Sequence, residues 1–141
     1  MKKLSVLVFS VLAMIGLSGC GGGGSGGGSD STPAVDMNYL TDSFGAPVSG
    51  IGYDCLSGEH GVTDPSGGYY FNPYGDSCDF YLPQINDDLH IEDAYYNGVN
   101  GLPYDCTSGF TGFTGDYVGA GGYAGGFAHD WFVTDVCTID Y

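Results

Sequence analysis

The sequence predicts an all-β protein, a small sandwich-like domain built from two tandem disulfide-stapled β-repeats. Three observations predict it: an internal duplication, a two-residue alternation of apolar side chains around four cysteines, and 27 glycines among 141 residues with no apolar stripe at helical spacing. Glycine weakens a helix by about 1 kcal/mol relative to alanine, so a chain this rich in it does not build long helices.

The chain opens with Met1-Lys2-Lys3, a short positive segment, followed by an apolar run from Leu4 to Leu17. A membrane-spanning helix needs roughly 20 such residues, so this run is too short to span and suits a secretory leader. It ends in Leu17-Ser18-Gly19-Cys20, which resembles the bacterial lipobox, where a cysteine receives diacylglycerol before the leader is cut away. The resemblance implies a signal peptide over residues 1–19, export through the Sec pathway and acylation of Cys20, palmitate included. Gly21 rather than Asp follows the cysteine, which in such lipoproteins implies the outer membrane. Residues 20–34 then form a Gly/Ser-rich tether. About a dozen residues of such coil reach ~20 Å.

The duplication begins beyond the tether. Val48-Ser-Gly-Ile-Gly-Tyr-Asp-Cys55 matches Val99-Asn-Gly-Leu-Pro-Tyr-Asp-Cys106, and Gly61-Val62-Thr63 matches Gly112-Phe113-Thr114. Gly67-Gly68-Tyr69 aligns with Gly125-Gly126-Phe127, and Asp76-Ser77-Cys78 with Asp135-Val136-Cys137. This divides the chain into a first repeat over residues 35–86 and a second over 87–141. Four cysteines allow three pairings. Because each copy carries one pair at equivalent places, the duplication points to Cys55–Cys78 and Cys106–Cys137. Zinc is the rival reading of four cysteines, but the short C-x2-4-C knuckles it favours are missing. Each bridge closes a loop of a few dozen residues, worth roughly 3–4 kcal/mol on the chain-entropy model.

Strands are expected where the cysteines lie. Ile51, Tyr53 and Cys55 alternate with Gly52 and Asp54, and Cys78, Phe80 and Leu82 with Asp79 and Tyr81. Leu102, Tyr104 and Cys106, then Cys137, Ile139 and Tyr141, repeat the pattern. Turns are expected at Asp64-Pro65-Ser66-Gly67-Gly68 and Asn72-Pro73-Tyr74-Gly75-Asp76. Each copy therefore reads as four or five short strands, and Leu89–Tyr96 as a bridging strand. The two copies are expected to cover each other's apolar faces. The run Thr63-Asp64-Pro65-Ser66-Gly67-Gly68-Tyr69-Tyr70-Phe71, with the preceding Val-x-Gly-x-x-Tyr-x-Cys, resembles the hairpin of bacterial surface β-repeats. It is also similar to that of carboxypeptidase-regulatory-like and adhesin sandwich repeats. That resemblance implies a sandwich and a surface address, and brings no catalytic residue.

Charge narrows the function. Seventeen Asp and Glu face two Lys and Arg, for a formal net charge of −15, and both lysines lie in the leader. Nucleic acid and anionic lipid surfaces, which are gripped by Lys and Arg, are excluded as partners. Only histidines or bound cations remain as counter-charges. The 12 Tyr, 8 Phe and 1 Trp are too much aromatic surface for a disordered acidic tail.

Candidate chemistry is sparse. The histidines are His60, His90 and His129, with no G-x-S-x-G or H-E-x-x-H around them, so no catalytic residue is expected. Calcium takes carboxylate oxygens, and the densest acidic stretch is Asp87, Asp88, Glu92 and Asp93 at the junction of the copies, although the EF-hand pattern is missing. The insertion in the second copy carries Tyr117 and Tyr123, with Trp131 beyond it, an aromatic set suited to a glycan or protein partner. The expectation is a non-enzymatic outer-membrane lipoprotein, held to the membrane by its lipid, with a structural or adhesin-like interaction role. The alternative is a calcium- or glycan-binding lipoprotein using the junction acids or the Gly/Tyr loop.

Overall fold

The structure, a computed structural model, describes residues 34–116 and 124–141. Ten strands and no helix are found among them. The first copy supplies β1 (Asp36–Asp42), β2 (Gly52–Cys55), β3 (His60–Val62), β4 (Gly68–Phe71) and β5 (Ser77–Leu82). The second supplies β6 (Leu89–Glu92), β7 (Pro103–Cys106), β8 (Thr111–Phe113), β9 (Gly126–Phe127) and β10 (Asp135–Asp140). They form two antiparallel sheets, one ordered β4-β1-β6-β9 and the other β3-β2-β5-β10-β7-β8.

Both orders read the same from either end once β1 to β5 are equated with β6 to β10. The duplication is thus a pseudo-two-fold axis passing between β5 and β10 in one sheet and between β1 and β6 in the other. In the larger sheet Asp79 is registered opposite Thr138, each the residue after the second cysteine of its copy. In the smaller sheet Leu40 faces Ile91, each two residues before the aspartate that caps the following turn. The copies therefore do not lie as two layers covering one another. Each divides its strands between both layers, and the copies join edge to edge in each. Joining this way pairs two strand edges per copy that would otherwise present bare N–H and C=O groups.

The alternation expected from sequence sets the faces. Ile51, Tyr53, Cys55, Cys78, Phe80, Leu82, Tyr104, Cys106, Cys137 and Ile139 are all buried, with Leu40, Tyr69, Leu89, Ile91 and Phe127 from the smaller sheet closing over them. Tyr69 meets Phe80 edge-on at 4.8 Å between centroids, so aromatic rings fill space that aliphatic side chains would occupy in other cores. The tyrosine hydroxyls stay bonded: Tyr69 and Tyr141 share a hydrogen bond, and the Tyr53 and Tyr104 hydroxyls accept from the N–H groups of Tyr70 and Ala128. The bridging strand is shorter than Leu89–Tyr96, because Asp93 caps a turn that ends it at Glu92.

The recurring motif is explained by backbone bonding. Thr63 and Thr114 are fully buried, and their hydroxyls donate to the carbonyls of Val48 and Val99 while accepting from the N–H of Ile51 and Leu102. Gly67 and Gly125 both adopt φ +81°, and a Cβ there would lie 2.3 Å from the Leu40 carbonyl oxygen or 2.2 Å from that of Ile91. Only glycine fits either place.

Candidate functional site

Two equivalent carboxylates stand behind the disulfides, each bonded to several backbone and hydroxyl donors. Cys55–Cys78 joins β2 to β5, and Cys106–Cys137 joins β7 to β10, each between residues directly opposite in register. Asp76, two residues before Cys78, accepts from the Ser57 N–H at 2.9 Å, the Ser57 hydroxyl at 2.6 Å and the Asn72 N–H at 2.8 Å. Asp135, two residues before Cys137, accepts from the Thr107 hydroxyl, the N–H and hydroxyl of Ser108 and the Asp130 N–H. Burial alone would raise both pKa values. The hydrogen bonds outweigh it and hold both carboxyls below the usual range.

Each carboxylate lies within 4.8 Å of its pair of cysteine sulfurs, the only groupings of three possible metal-ligating side chains among the described residues. The sulfurs are spent in disulfides and offer no thiolate, so these corners are staples rather than metal centres. Sequence reading aligned Asp76 with Asp135 without giving them a role. Their constant spacing from the second cysteine was the available signal.

The junction acids are placed apart from one another in function. Asp87 accepts from the Ser43 hydroxyl at 2.6 Å, and Asp93 from the N–H groups of Tyr95 and Asn97. The Asn97 and Tyr95 N–H groups hold the Asp93 carboxyl below its ordinary range. Glu92 sits in β6 opposite Tyr39, and the Asp88 N–H donates to the Asp87 carboxylate.

The histidines likewise serve separate sites. His60 is exposed and bonds the Gly58 carbonyl; His90 is buried in β6, 3.4 Å from the Ala124 carbonyl. His129 is buried with its ring nitrogens at the carbonyls of Asp87 and Asp130, tying the junction to the end of β9. Three serine hydroxyls donate to carboxylates: Ser57 to Asp76, Ser108 to Asp135 and Ser43 to Asp87.

Trp131 lies in a groove of about 330 Å³ lined by Phe110, His129, Asp130 and Phe132. Phe110 and Phe132 were not singled out by sequence; their separation along the chain hides a neighbourhood that the β7–β8 turn and the β9–β10 loop create. Cys20, Tyr117 and Tyr123 lie outside the described residues.

Comparison with family models, curated proteins and solved structures finds no match. Within the chain itself the two copies serve as each other's relatives. Asp42 and Asp93 cap equivalent turns, the first bonding the N–H groups of Phe44 and Ala46. In the first copy Asp64 holds the N–H of Gly67 with its carbonyl and that of Gly68 with its carboxylate; the second has Gly115 there, and the Asn100 side chain holds the N–H of Gly125, the equivalent of Gly67.

Proposed function

We propose that this chain is a lipid-anchored outer-membrane protein that acts without catalysis, as a structural or interaction module held off the membrane by its tether. The observation that carries the reading is the pair of disulfides seated in the core, one per copy. Such bridges persist in oxidising compartments, where the leader over residues 1–19 would deliver the chain. The carboxylates and hydroxyls with the most hydrogen bonds serve turns and corners, which favours a scaffold over an enzyme. Exposed rings recur at matching loop tips, Phe44 with Tyr95 and Tyr74 with Phe132, and give the module contact surface.

Labelled palmitate tests the anchor. Incorporation is expected in the wild type and lost in Cys20→Ala, which should also leave the membrane fraction. Equal labelling of the two proteins would remove the anchor from the reading.

A further inference from the structure

The groove around Trp131 lies where the copies keep the same backbone bonds and change every lining residue. Phe110 and Glu59 accept at their carbonyls from the N–H of Cys106 and Cys55, so they correspond. Asp130 and Asn72 both donate their N–H to the buried aspartate and both accept from the N–H two residues on, that of Phe132 or Tyr74. By this register Phe110, His129, Asp130, Trp131 and Phe132 stand where the first copy has Glu59, Phe71, Asn72, Pro73 and Tyr74. The first copy shows that the same backbone bonds form with other side chains at these places.

Those choices make an aromatic wall beside a carboxylate. Phe110, Trp131 and Phe132 are 41%, 38% and 78% exposed, and none makes a ring contact among the described residues. Asp130 spends Oδ1 on the Phe132 N–H. His129 sets Nε2 2.9 Å from the Asp87 carbonyl, where a neutral imidazole donates its one N–H, so it offers the groove ring surface. Around them the described residues carry carboxylates and no Lys or Arg. Aromatic faces attract cations, tryptophan most strongly, and a protein field of one sign concentrates them in a cleft. An anion would be repelled, and a neutral sugar would gain nothing from the field. A divalent metal would find one carboxylate where it wants several oxygens. An alkylated ammonium sheds its water easily and uses both the rings and the charge.

We propose that this groove binds a small alkylated ammonium ion of the tetramethylammonium or choline type. The site is independent of the anchor and would survive its failure.

Trp131 is the sole tryptophan, so its fluorescence reports this groove alone. The full chain, in a nonionic detergent, would be titrated with choline chloride at constant ionic strength, with 3,3-dimethylbutan-1-ol as the neutral isostere, and with a monosaccharide panel. A saturable change with choline is expected, with the isostere weaker by about tenfold or more. Asp130→Asn keeps an oxygen for the Phe132 N–H, as Asn72 does for Tyr74, and should weaken choline about fivefold while leaving the isostere unchanged. Phe110→Ala should weaken both ligands, with an unaltered melting curve showing the fold intact. A flat choline titration, equal binding of the isostere, a response to sugars alone, or an Asp130→Asn protein that binds choline as before would each overturn the proposal.

Discussion

Asp135 gives the sharpest test of how this acidic chain stays folded, because two effects predict opposite signs for its removal. Asp135→Ala deletes one of 17 carboxylates from a chain of formal net charge −15, and relief of self-repulsion alone would stabilise the fold slightly. The structure predicts the reverse. The substitution strands the N–H groups of Ser108 and Asp130, while the hydroxyls of Thr107 and Ser108 can turn elsewhere. A buried donor left without a partner costs about 1–3 kcal/mol. Ser108 is exposed enough for water to take over part of that cost, so the loss should be about 2–4 kcal/mol. For a domain of this size that lowers Tm by about 10–25 °C. Thermal melts followed by circular dichroism, with Asp140→Ala on the exposed end of β10 as the charge-matched control, would read it. If Asp135→Ala melts together with Asp140→Ala, or above the wild type, the carboxylate is not a keystone and the reasoning fails. The same carboxyl has a pH signature. Its folded pKa lies below the unfolded value of 3.8, so its contribution is fully present above that value and is lost as pH falls through the folded pKa. The gap between wild type and Asp135→Asn should therefore be constant above about pH 5 and close in stronger acid.

Three further outcomes are expected. Because Asp87 and Asp93 already accept from Ser43, Tyr95 and Asn97, calcium and sodium at matched ionic strength should raise Tm equally, and a calcium-specific excess would restore a site at the junction. On the pseudo-two-fold axis the Thr138 hydroxyl donates to Asp79 at 2.6 Å, and the cross-strand row runs Asp54, Asp79, Thr138, Asp105. Thr138→Asp would set four carboxylates abreast and should cost about 1–3 kcal/mol, diminishing with salt, whereas a loss matched by Thr138→Asn would show that repulsion is not the cause. Tyr96 has φ 62° where the first copy has Gly45, and it stacks on Tyr39 at 5.9 Å. Tyr96→Ala keeps the unfavourable backbone and loses the stack, so it should be less stable than Tyr96→Gly by about 1 kcal/mol in urea melts, and the opposite order would refute the account.

The sheet content, the strand faces and both disulfides were legible in the sequence because they follow from short-range rules. Alternation sets which side of Tyr53 or Phe80 is buried, and the equivalence of Cys55 with Cys106 and Cys78 with Cys137 selects one pairing. The layering was not legible. Nothing local tells β5 that its neighbour is β10, so stacked copies and interleaved copies fit the same pattern. The groove escaped for the same reason: Trp131 was visible as the lone tryptophan, but Phe110 joins it only because β7 and β10 are paired. The bridging strand was overextended because Tyr95 and Tyr96 look strand-like. The Asp93 cap decides otherwise.

The arithmetic of charge left histidines or bound cations as the only counter-charges, and the structure shows a third source. Turns and strand ends leave N–H groups unbonded, and a short carboxylate can take two of them at once. Asp42, Asp64 and Asp93 each do so in a loop, and Asp76 and Asp135 do so beneath the disulfides. Backbone dipoles thus perform the local neutralisation that lysine and arginine provide in other domains. They do it without cancelling the net charge, since a peptide N–H carries no formal charge. The fold is consequently satisfied at close range and strongly negative at long range. Carboxylates held this way have donors at close range, and the field they leave at long range draws cations to any surface that can desolvate them. The aromatic groove of the second copy, with Asp130 beside Phe110, Trp131 and Phe132, is the surface on which the choline titration tests that attraction.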